Sequence, residues 1–235
     1  MTATLYAVPA SHPCAAIELA LQLKGVPYER VDLVPAFHVA AQRLRFGART
    51  VPGIIFDDGA KVQGSKPILR ELDRRHPEPT LVTAGGDAAE TWGDEVLQPL
   101  VRRVIWAALS ADTRAQESYI ADAKLVPPTP KAVARATAGG LGWVERKLNK
   151  STPDAVRSDL EALPGHLDEV DAWIADGTLG GETAADLQVF PSLRLLMTLE
   201  DLAPMFAGRP CAEHARRLFG VYPGRVSPGA LALPA

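Results

Sequence analysis

The sequence predicts two domains, an α/β domain over about the first 76 residues and an all-α domain after it. In the first part, short β-prone runs alternate with apolar residues at helical spacing, in the order β-α-β-α-β-β-α. In the second part, apolar residues recur at intervals of three and four, and no convincing strand series follows. The predicted organisation is a first domain over 1–76, a Pro- and Gly-rich linker over 77–86, a helical domain over 87–220 and an irregular tail over 221–235.

The first four elements alternate strands and helices. Residues Ala3 to Val8 form a β-prone run, and a helical pattern follows from Ala15 to Lys24. A second β-prone run covers Tyr28 to Leu33, and a weaker, arginine-rich helical pattern covers Phe37 to Phe46. This order is typical of an α/β domain.

A hairpin and a third helix complete the first domain. Two short β-prone runs, Ile54 to Phe56 and Ala60 to Gln63, flank an Asp-Asp-Gly turn. Ser65 follows as a candidate N-cap, with a proline in the first turn and apolar residues at helical spacing beyond it. Free backbone N–H groups and the helix dipole meet at such an end, so a carboxylate or phosphate is a candidate ligand, with the Ser65 hydroxyl as a further donor. The alternative is a serine that only caps its helix.

The second domain is predicted as a series of helices. Helical patterns cover four stretches: Trp92 to Leu109, Lys131 to Lys150, Pro153 to Ile174 and Pro210 to Leu218. A Pro-Gly pair inside the third stretch predicts a kink or a break. Between the third and fourth stretches, Thr183 and Asp186 form a capping box ahead of an apolar run, so their predicted role is structural.

Composition excludes several classes of protein. With 47% hydrophobic and 23% charged residues, the chain of 235 residues suits compact domains. A formal net charge of -3 gives no electrostatic footprint for nucleic acid, and no apolar run has the length of a membrane span. Two cysteines cannot form a disulfide framework, the N-terminus lacks a signal-peptide pattern, and the five histidines show no metal-ligand spacing. We expect a cytoplasmic protein with no metal, nucleic-acid or membrane partner.

Three short motifs stand at defined places in the first domain: Ser11-x-x-Cys14 where the first strand meets the first helix, Val51-Pro52 before the third strand, and Gly64-Ser65 at the third helix. In this order, and with the capping box in the second half, they resemble the glutathione transferase superfamily. The resemblance covers residues from about 2 to about 220. It implies a thioredoxin-like first domain, an all-helical second domain, and glutathione as co-substrate.

The resemblance also implies where glutathione binds on the first domain. Val51 would pair with its cysteinyl backbone beside a cis peptide bond at Pro52, and Ser65 would hold its γ-glutamyl carboxylate. Many members have glutamate or glutamine directly before this serine, whereas Gly64 stands here and Gln63 lies one place earlier. The γ-glutamyl ammonium therefore lacks its usual partner, unless Gln63 or a side chain of a second subunit supplies one.

Ser11 and Cys14 offer two ways to handle the thiol. By the resemblance, the Ser11 hydroxyl would donate to sulfur and, with the positive end of the following helix, lower the thiol pKa so that the nucleophilic thiolate forms. The alternative is a loop or capping serine. Cys14 offers a rival mechanism through mixed disulfides if its own pKa is depressed, or else it is a small buried residue. A dithiol cycle is excluded because Ser11 stands where the first cysteine would be.

For the electrophile, the resemblance points to the long helix of the second domain. Arg102, Arg103 and Trp106 lie where the family forms its electrophile pocket and subunit contacts, and Trp106 is equally suited to packing. The expected activity is that of a homodimeric glutathione transferase acting on an apolar electrophile, with a role in detoxification. Three alternatives stay open: a glutathione-dependent isomerase, dehalogenase or peroxidase; a catalytically silent binding or interaction module; and the use of a different low-molecular-weight thiol.

Overall fold

The computed structural model describes residues 2–232, so the last three residues of the predicted tail lie outside the described residues. The first part of the chain forms β1 (Ala3–Ala7), α1 (His12–Leu23), β2 (Tyr28–Leu33), α2 (His38–Phe46), β3 (Gly53–Ile55), β4 (Lys61–Gln63) and α3 (Ser65–Arg75). The second part forms α4 (Asp87–Trp92), α5 (Gln98–Ala111), α6 (Gln116–Tyr119), β5 (Leu125–Val126), α7 (Lys131–Leu148), α8 (Pro153–Ala175), α9 (Ala184–Leu196), α10 (Ala203–Phe206) and α11 (Pro210–Phe219). A π-helical turn, Gly93–Leu97, joins α4 to α5, and a 3₁₀ turn, Glu200–Leu202, precedes α10. Within the described residues, no helix has both the length and the apolar character needed to cross a membrane.

The five strands form one mixed sheet in the order β4-β3-β1-β2-β5. Strand β1 is parallel to β2, with Leu5 opposite Arg30, and antiparallel to β3, with Leu5 opposite Ile54. Strand β5 comes from the second half of the chain and extends the sheet by pairing in parallel with β2. The predicted α/β domain followed by a helical domain is confirmed. The addition of β5 was not predicted, because two residues form a strand only through the neighbour that they pair with.

The long helix predicted from Trp92 to Leu109 is interrupted by the π-helical turn. Gly93 begins this turn and lies close to α9: a Cβ atom there would be 3.0 Å from Cβ of Gln188 and 3.1 Å from Cγ2 of Val189. Turns of this kind are frequent at functional sites. By contrast, α8 continues through its internal proline, where the sequence predicts a kink or a break.

The start of α3 differs by one residue from the prediction. Gly64 is the N-cap, with a φ of 92° in the left-handed region that favours glycine, and Ser65 is the first helical residue. The Gly64 N–H donates to the Pro52 carbonyl at 2.9 Å, which holds the two predicted glutathione-binding segments side by side. The prediction that Ser65 is the N-cap was therefore wrong.

Helix α9 is shared by the cores of both halves. Ala184 and Leu187, near its start, pack into the core formed by β1, α1, β3 and α3. Phe190 and Leu193, one turn further on, pack into the core of the helical part. The helix therefore joins the two halves through buried apolar contacts.

The start of α9 is held by the capping box. The Asp186 carboxylate accepts from the Thr183 N–H at 2.7 Å and from the Gly180 N–H at 2.5 Å. Because Asp186 is fully buried, both of these bonds are shielded from water. The box therefore positions the helix that the two cores share.

Candidate functional site

A cavity of about 510 Å³ opens between the two halves of the molecule. Its wall comes from the β1–α1 loop, the loop after β2, α2, the residues before β3, and helices α5 and α7. Of the predicted site residues, the cavity wall includes Ser11, Val51, Arg102, Arg103 and Trp106. The others predicted to bind or react lie outside this wall: Cys14, Pro52, Gln63, Gly64 and Ser65.

Ser11 lies at the N-terminus of α1, on this wall. Its backbone carbonyl accepts from the N–H groups of Cys14 at 3.1 Å and Ala15 at 3.0 Å. Its side chain makes no capping hydrogen bond, so the hydroxyl is not consumed by the helix end. The preceding residue, Ala10, has a φ of 63°, a conformation that costs a residue other than glycine about 1–3 kcal/mol. The fold thus presents Ser11 on a strained turn at the positive end of a helix.

Cys14 is sealed from the cavity. Its side chain is 0% exposed, and burial raises the pKa of the thiol to about 11, while a hydrogen bond with the Ser11 side chain opposes the rise. A mixed-disulfide mechanism needs a depressed pKa, which is the opposite of what this environment produces. The structure therefore argues against the rival mechanism through Cys14.

The residues before β3 form a second part of the site. Val51 is half-buried on the cavity wall, and the Val51–Pro52 peptide bond is cis. Behind them, Nε2 of Gln63 donates to the carbonyls of Ala48 at 2.9 Å and Thr50 at 2.5 Å. Gln63 thereby ties down the segment that carries Val51. Both of its amide hydrogens are used, so only its amide oxygen remains for a ligand.

A buried polar network begins at Ser65, which is 5% exposed. Its hydroxyl donates to Oε1 of Gln188 on α9 at 3.2 Å. The same oxygen accepts from Nε2 of Gln98 at 2.5 Å, and Oε1 of Gln98 accepts from Arg102 at 3.4 Å. The network therefore connects the start of α3 with a cation on the cavity wall. Among the described residues, Nε2 of Gln188 is buried without a partner, so the network has two N–H donors to spare.

The two predicted arginines on the cavity wall, Arg102 and Arg103, are in different electrostatic states. Arg103 forms a bidentate ion pair with Asp159, with N–O distances of 2.6 and 2.7 Å, and its charge is neutralised. Arg102 forms no ion pair with any carboxylate in residues 2–232, and burial lowers its pKa while the charge of Asp94 opposes the shift. Trp106 completes this side of the wall. Arg102 is therefore a cation that can meet an anionic ligand.

Two histidines on the wall were missed as site residues. His12 is 4% exposed, and neither its Nε2 nor Nδ1 of His38 has a hydrogen-bond partner within the described part of the chain. Burial lowers the pKa of both, that of His38 to about 4, and the charge of Arg102 lowers that of His12 further. Both imidazoles are therefore neutral at pH 7. They belong to no group of three or more His, Cys, Asp or Glu residues in 2–232 that could hold a metal ion.

Glu145 joins the far side of the cavity to the first half of the molecule. Its Oε1 accepts from the Ala36 N–H at 3.1 Å, and its Oε2 accepts from Nδ2 of Asn149 at 3.2 Å. Burial raises the pKa of this carboxyl, and the two hydrogen bonds oppose the rise. The sequence offers no signal for this role, because Glu145 reads as one of many charged residues on a helix.

Comparisons with known proteins agree with the fold. Residues 5–80 match the family model for the N-terminal domain of glutathione S-transferase. No curated protein sequence matches the chain. Among solved structures, the fold is similar to that of a glutathione S-transferase from Rhodospirillum rubrum F11, with a TM-score of 0.61 and 18% identity over 97% of each chain.

Two further similar structures contain glutathione. One is glutaredoxin 2 from Salmonella typhimurium in complex with glutathione, with a TM-score of 0.58 and 16% identity over 94% of this chain and 96% of that chain. The other is the theta class glutathione S-transferase from Xanthomonas axonopodis pv. citri with glutathione bound, with a TM-score of 0.59 and 16% identity over 92% of this chain and 96% of that chain. Residues 5–80 therefore match the N-terminal domain of glutathione S-transferase, and the fold of the whole chain is similar to that of solved glutathione S-transferases.

Proposed function

We propose that the chain is a glutathione transferase. Glutathione binds across Val51 and the start of α3, and the Ser11 hydroxyl donates a hydrogen bond to its sulfur. The observation that carries the proposal is the position of Ser11, whose hydroxyl makes no capping bond and which shares the wall of one cavity with Val51 and Arg102. The two similar structures that contain glutathione support glutathione as the thiol.

The electrostatics of the cavity favour a thiolate. The positive end of α1 lies at Ser11, and Arg102 is a cation without a directly paired carboxylate among residues 2–232. Both stabilise the charged form of a bound thiol and so lower its pKa. The thiol proton goes to water, and the thiolate gives its electron pair to an electrophilic carbon. With an aryl halide, the halide departs with the electron pair of the bond that breaks; with a conjugated ketone, the π pair moves to the α-carbon, which takes a proton from water. The apolar part of the wall, with Trp106, would hold that electrophile.

Calorimetric titration with glutathione tests the binding part of this proposal. Ser65→Ala should weaken binding by about tenfold, because it removes one hydrogen bond to a charged group. Ser11→Ala should bind glutathione as wild type does, and Ser158→Ala, an exposed serine on α8, is the matched control. Equal affinity of Ser65→Ala and wild type for glutathione would show that Ser65 does not contribute to binding. Binding heat with another low-molecular-weight thiol, and none with glutathione, would show that the other thiol is the ligand of this site.

A second candidate function is a catalytically silent binding module. One observation favours it: the Ser65 hydroxyl is already bonded to Gln188, and both amide hydrogens of Gln63 are bonded to backbone carbonyls. Turnover of glutathione with an aryl halide and with a conjugated ketone separates the two functions. Normal glutathione binding with no turnover of either electrophile would favour the silent module. Turnover of a peroxide or isomerisation of a substrate instead would assign a related glutathione-dependent reaction.

We also propose that the chain is a homodimer in the cytoplasm, as the family resemblance implies. Light scattering on the purified chain measures its mass in solution. A monomer at micromolar concentration would contradict the dimer.

A further inference from the structure

A second cavity, of about 370 Å³, backs onto the same β1–α1 loop. Residues 9–12 form part of the wall of both cavities. The rest of its wall comes from α1, β2, α6, the segment 121–123, α9 and residues 222–223. Five charged side chains lie on its wall: Glu18, Arg30, Asp32, Asp122 and Arg194. None of these has a part in the proposed transferase reaction.

Arg194, on α9, is a cation of this cavity that has no carboxylate partner among the described residues. Its guanidinium lies over the ring of Tyr222, 4.9 Å from the ring centroid, and its Nε is buried with no hydrogen-bond partner within residues 2–232. Burial lowers its pKa, and Tyr222 and Glu18 oppose the shift. A carboxylate that enters the cavity would therefore meet a guanidinium with N–H donors to spare.

Another part of the wall carries one carboxylate more than it has cations. Nε of Arg30 donates to Oδ1 of Asp32 at 2.7 Å, and the same guanidinium pairs with Glu18. Asp32 is only 9% exposed, and no hydrogen bond within the described residues reaches its Oδ2. One positive charge thus serves two carboxylates. Oδ2 of Asp32 is left as an acceptor in the cavity wall.

We propose that this cavity binds the α-amino-acid group of a small zwitterion, with the carboxylate on Arg194 and the ammonium on Asp32. An unpaired cation and a surplus carboxylate in one cavity match a ligand that carries both charges. A simple anion is repelled by the acidic part of the wall, and a simple amine is repelled by Arg194. The volume of about 370 Å³ admits a ligand of this size. Two sources share the chemistry: a free α-amino acid and the γ-glutamyl end of glutathione.

Titration of the full chain with L-alanine, followed by backbone amide NMR, tests the site. The amide resonances of residues 121–123 should shift and saturate with a Kd in the millimolar range. Propionate carries only the carboxylate and ethylamine only the ammonium, so each should bind at least about tenfold more weakly than L-alanine. Equal binding of all three, no shift, or shifts confined to residues 64–68 at the start of α3 would each overturn the proposal.

Variants test the two assigned side chains. Arg194→Gln and Asp32→Asn should each weaken L-alanine binding by about tenfold, and Arg194→Lys should retain part of the affinity. Arg157→Gln, an exposed arginine on α8, is the matched control and should bind as wild type. Wild-type affinity in Arg194→Gln would overturn the proposal. If a variant does not fold, the comparison of L-alanine, propionate and ethylamine on the wild-type chain still tests the proposal.

S-methylglutathione, which cannot form a thiolate, separates the two sources. Shifts at residues 121–123 that L-alanine competes away would assign the cavity to the γ-glutamyl end of glutathione and would exclude the placement of that end at Ser65 in the proposed transferase site. Shifts only at the first cavity, with L-alanine still bound at 121–123, would assign it to a free amino acid. Both results support the zwitterion site, and they are independent of whether the chain has transferase activity.

Discussion

Ser11 and Cys14 lie one helical turn apart, and the fold places their side chains in opposite environments. The Ser11 hydroxyl is on the cavity wall and outside the capping bonds, whereas the Cys14 thiol is 0% exposed with its pKa raised to about 11. Reactivity in this helix turn is therefore decided by which side of the helix faces the cavity. The hydroxyl is available to a ligand, and the thiol is not.

Replacing the thiol tests this assignment. Cys14→Ala should leave turnover unchanged and lower the free energy of unfolding by about 1–2 kcal/mol, because only a buried sulfur is lost. Steady-state kinetics and urea unfolding measure the two effects. Cys211→Ala is the matched control, since Cys211 is also fully buried and burial raises its pKa. A folded Cys14→Ala without activity would restore the mixed-disulfide mechanism.

The buried His38 predicts how stability depends on pH. Its pKa is lowered to about 4 by burial, whereas an unfolded histidine has a pKa near 6.5. Between these values the unfolded chain binds a proton that the folded chain does not, so the free energy of unfolding should fall as the pH falls from about 6.5 to about 4. Urea unfolding at several pH values measures this slope.

The contribution of His38 to that slope is isolated by substitution. His38→Gln cannot take up the proton, so the slope between about pH 6.5 and about pH 4 should be smaller than in wild type. His76→Gln replaces an exposed histidine and serves as control. An identical slope in His38→Gln and wild type would show that His38 does not contribute.

The sequence predicts some site residues and not others for a physical reason. Short motifs in a characteristic order predict Ser11 and Val51, and both lie on the cavity wall. Gln98 and Gln188 are not found, because glutamines on helices read as surface residues until the packing of α5 on α9 buries them together. His12 is adjacent to Ser11 in the sequence, but its spacing from the other histidines and from the cysteines is not that of a metal site. The sequence therefore predicts no role for it.

At the scale of elements, the π-helical turn depends on a glycine. Gly93→Ala would bring a Cβ atom to 3.0 Å from Cβ of Gln188 and 3.1 Å from Cγ2 of Val189. We expect a net loss of about 1–3 kcal/mol in the free energy of unfolding, because overpacking outweighs the helical preference of alanine. Thermal and urea unfolding measure it.

A second glycine provides the control for this prediction. A Cβ atom on Gly139, in the exposed face of α7, meets nothing within 4 Å. Gly139→Ala should therefore stabilise the protein, by about 0.5–1 kcal/mol. Equal effects of the two substitutions would contradict the role assigned to the contact between Gly93 and α9.

Periodicity predicts elements well where a segment carries its own signal. The β-α-β-α-β-β-α order and helices α7, α8 and α11 follow from local pattern within one or two residues. Strand β5 and the π-helical turn do not, because β5 exists through its pairing with β2 and the turn lies against α9. Contacts between distant segments determine both.

At the scale of the whole molecule, α9 predicts that the two halves unfold together. Its Leu187 packs in the core of the first half and its Phe190 in the core of the second. Leu187→Ala should lower the free energy of unfolding by about 2–5 kcal/mol and destabilise both halves. Tryptophan fluorescence follows the second half, which contains all four tryptophans, and hydrogen exchange of β1 amides follows the first.

Leu44→Ala is the control for this experiment. It replaces a leucine that is 91% exposed, so it should change the free energy of unfolding little. Two separate transitions, with only the first half affected by Leu187→Ala, would show that α9 does not join the cores.

The central claim is that Ser11 stabilises the thiolate of bound glutathione. Titrating the ultraviolet absorbance of the thiolate in the complex gives the pKa of the bound thiol, against about 8.5 for a free cysteine thiol. We predict a pKa lowered by about one unit or more in wild type and in Ser158→Ala, and a value near that of the free thiol in Ser11→Ala. An equal pKa in wild type and Ser11→Ala, with glutathione bound to both, would contradict the account.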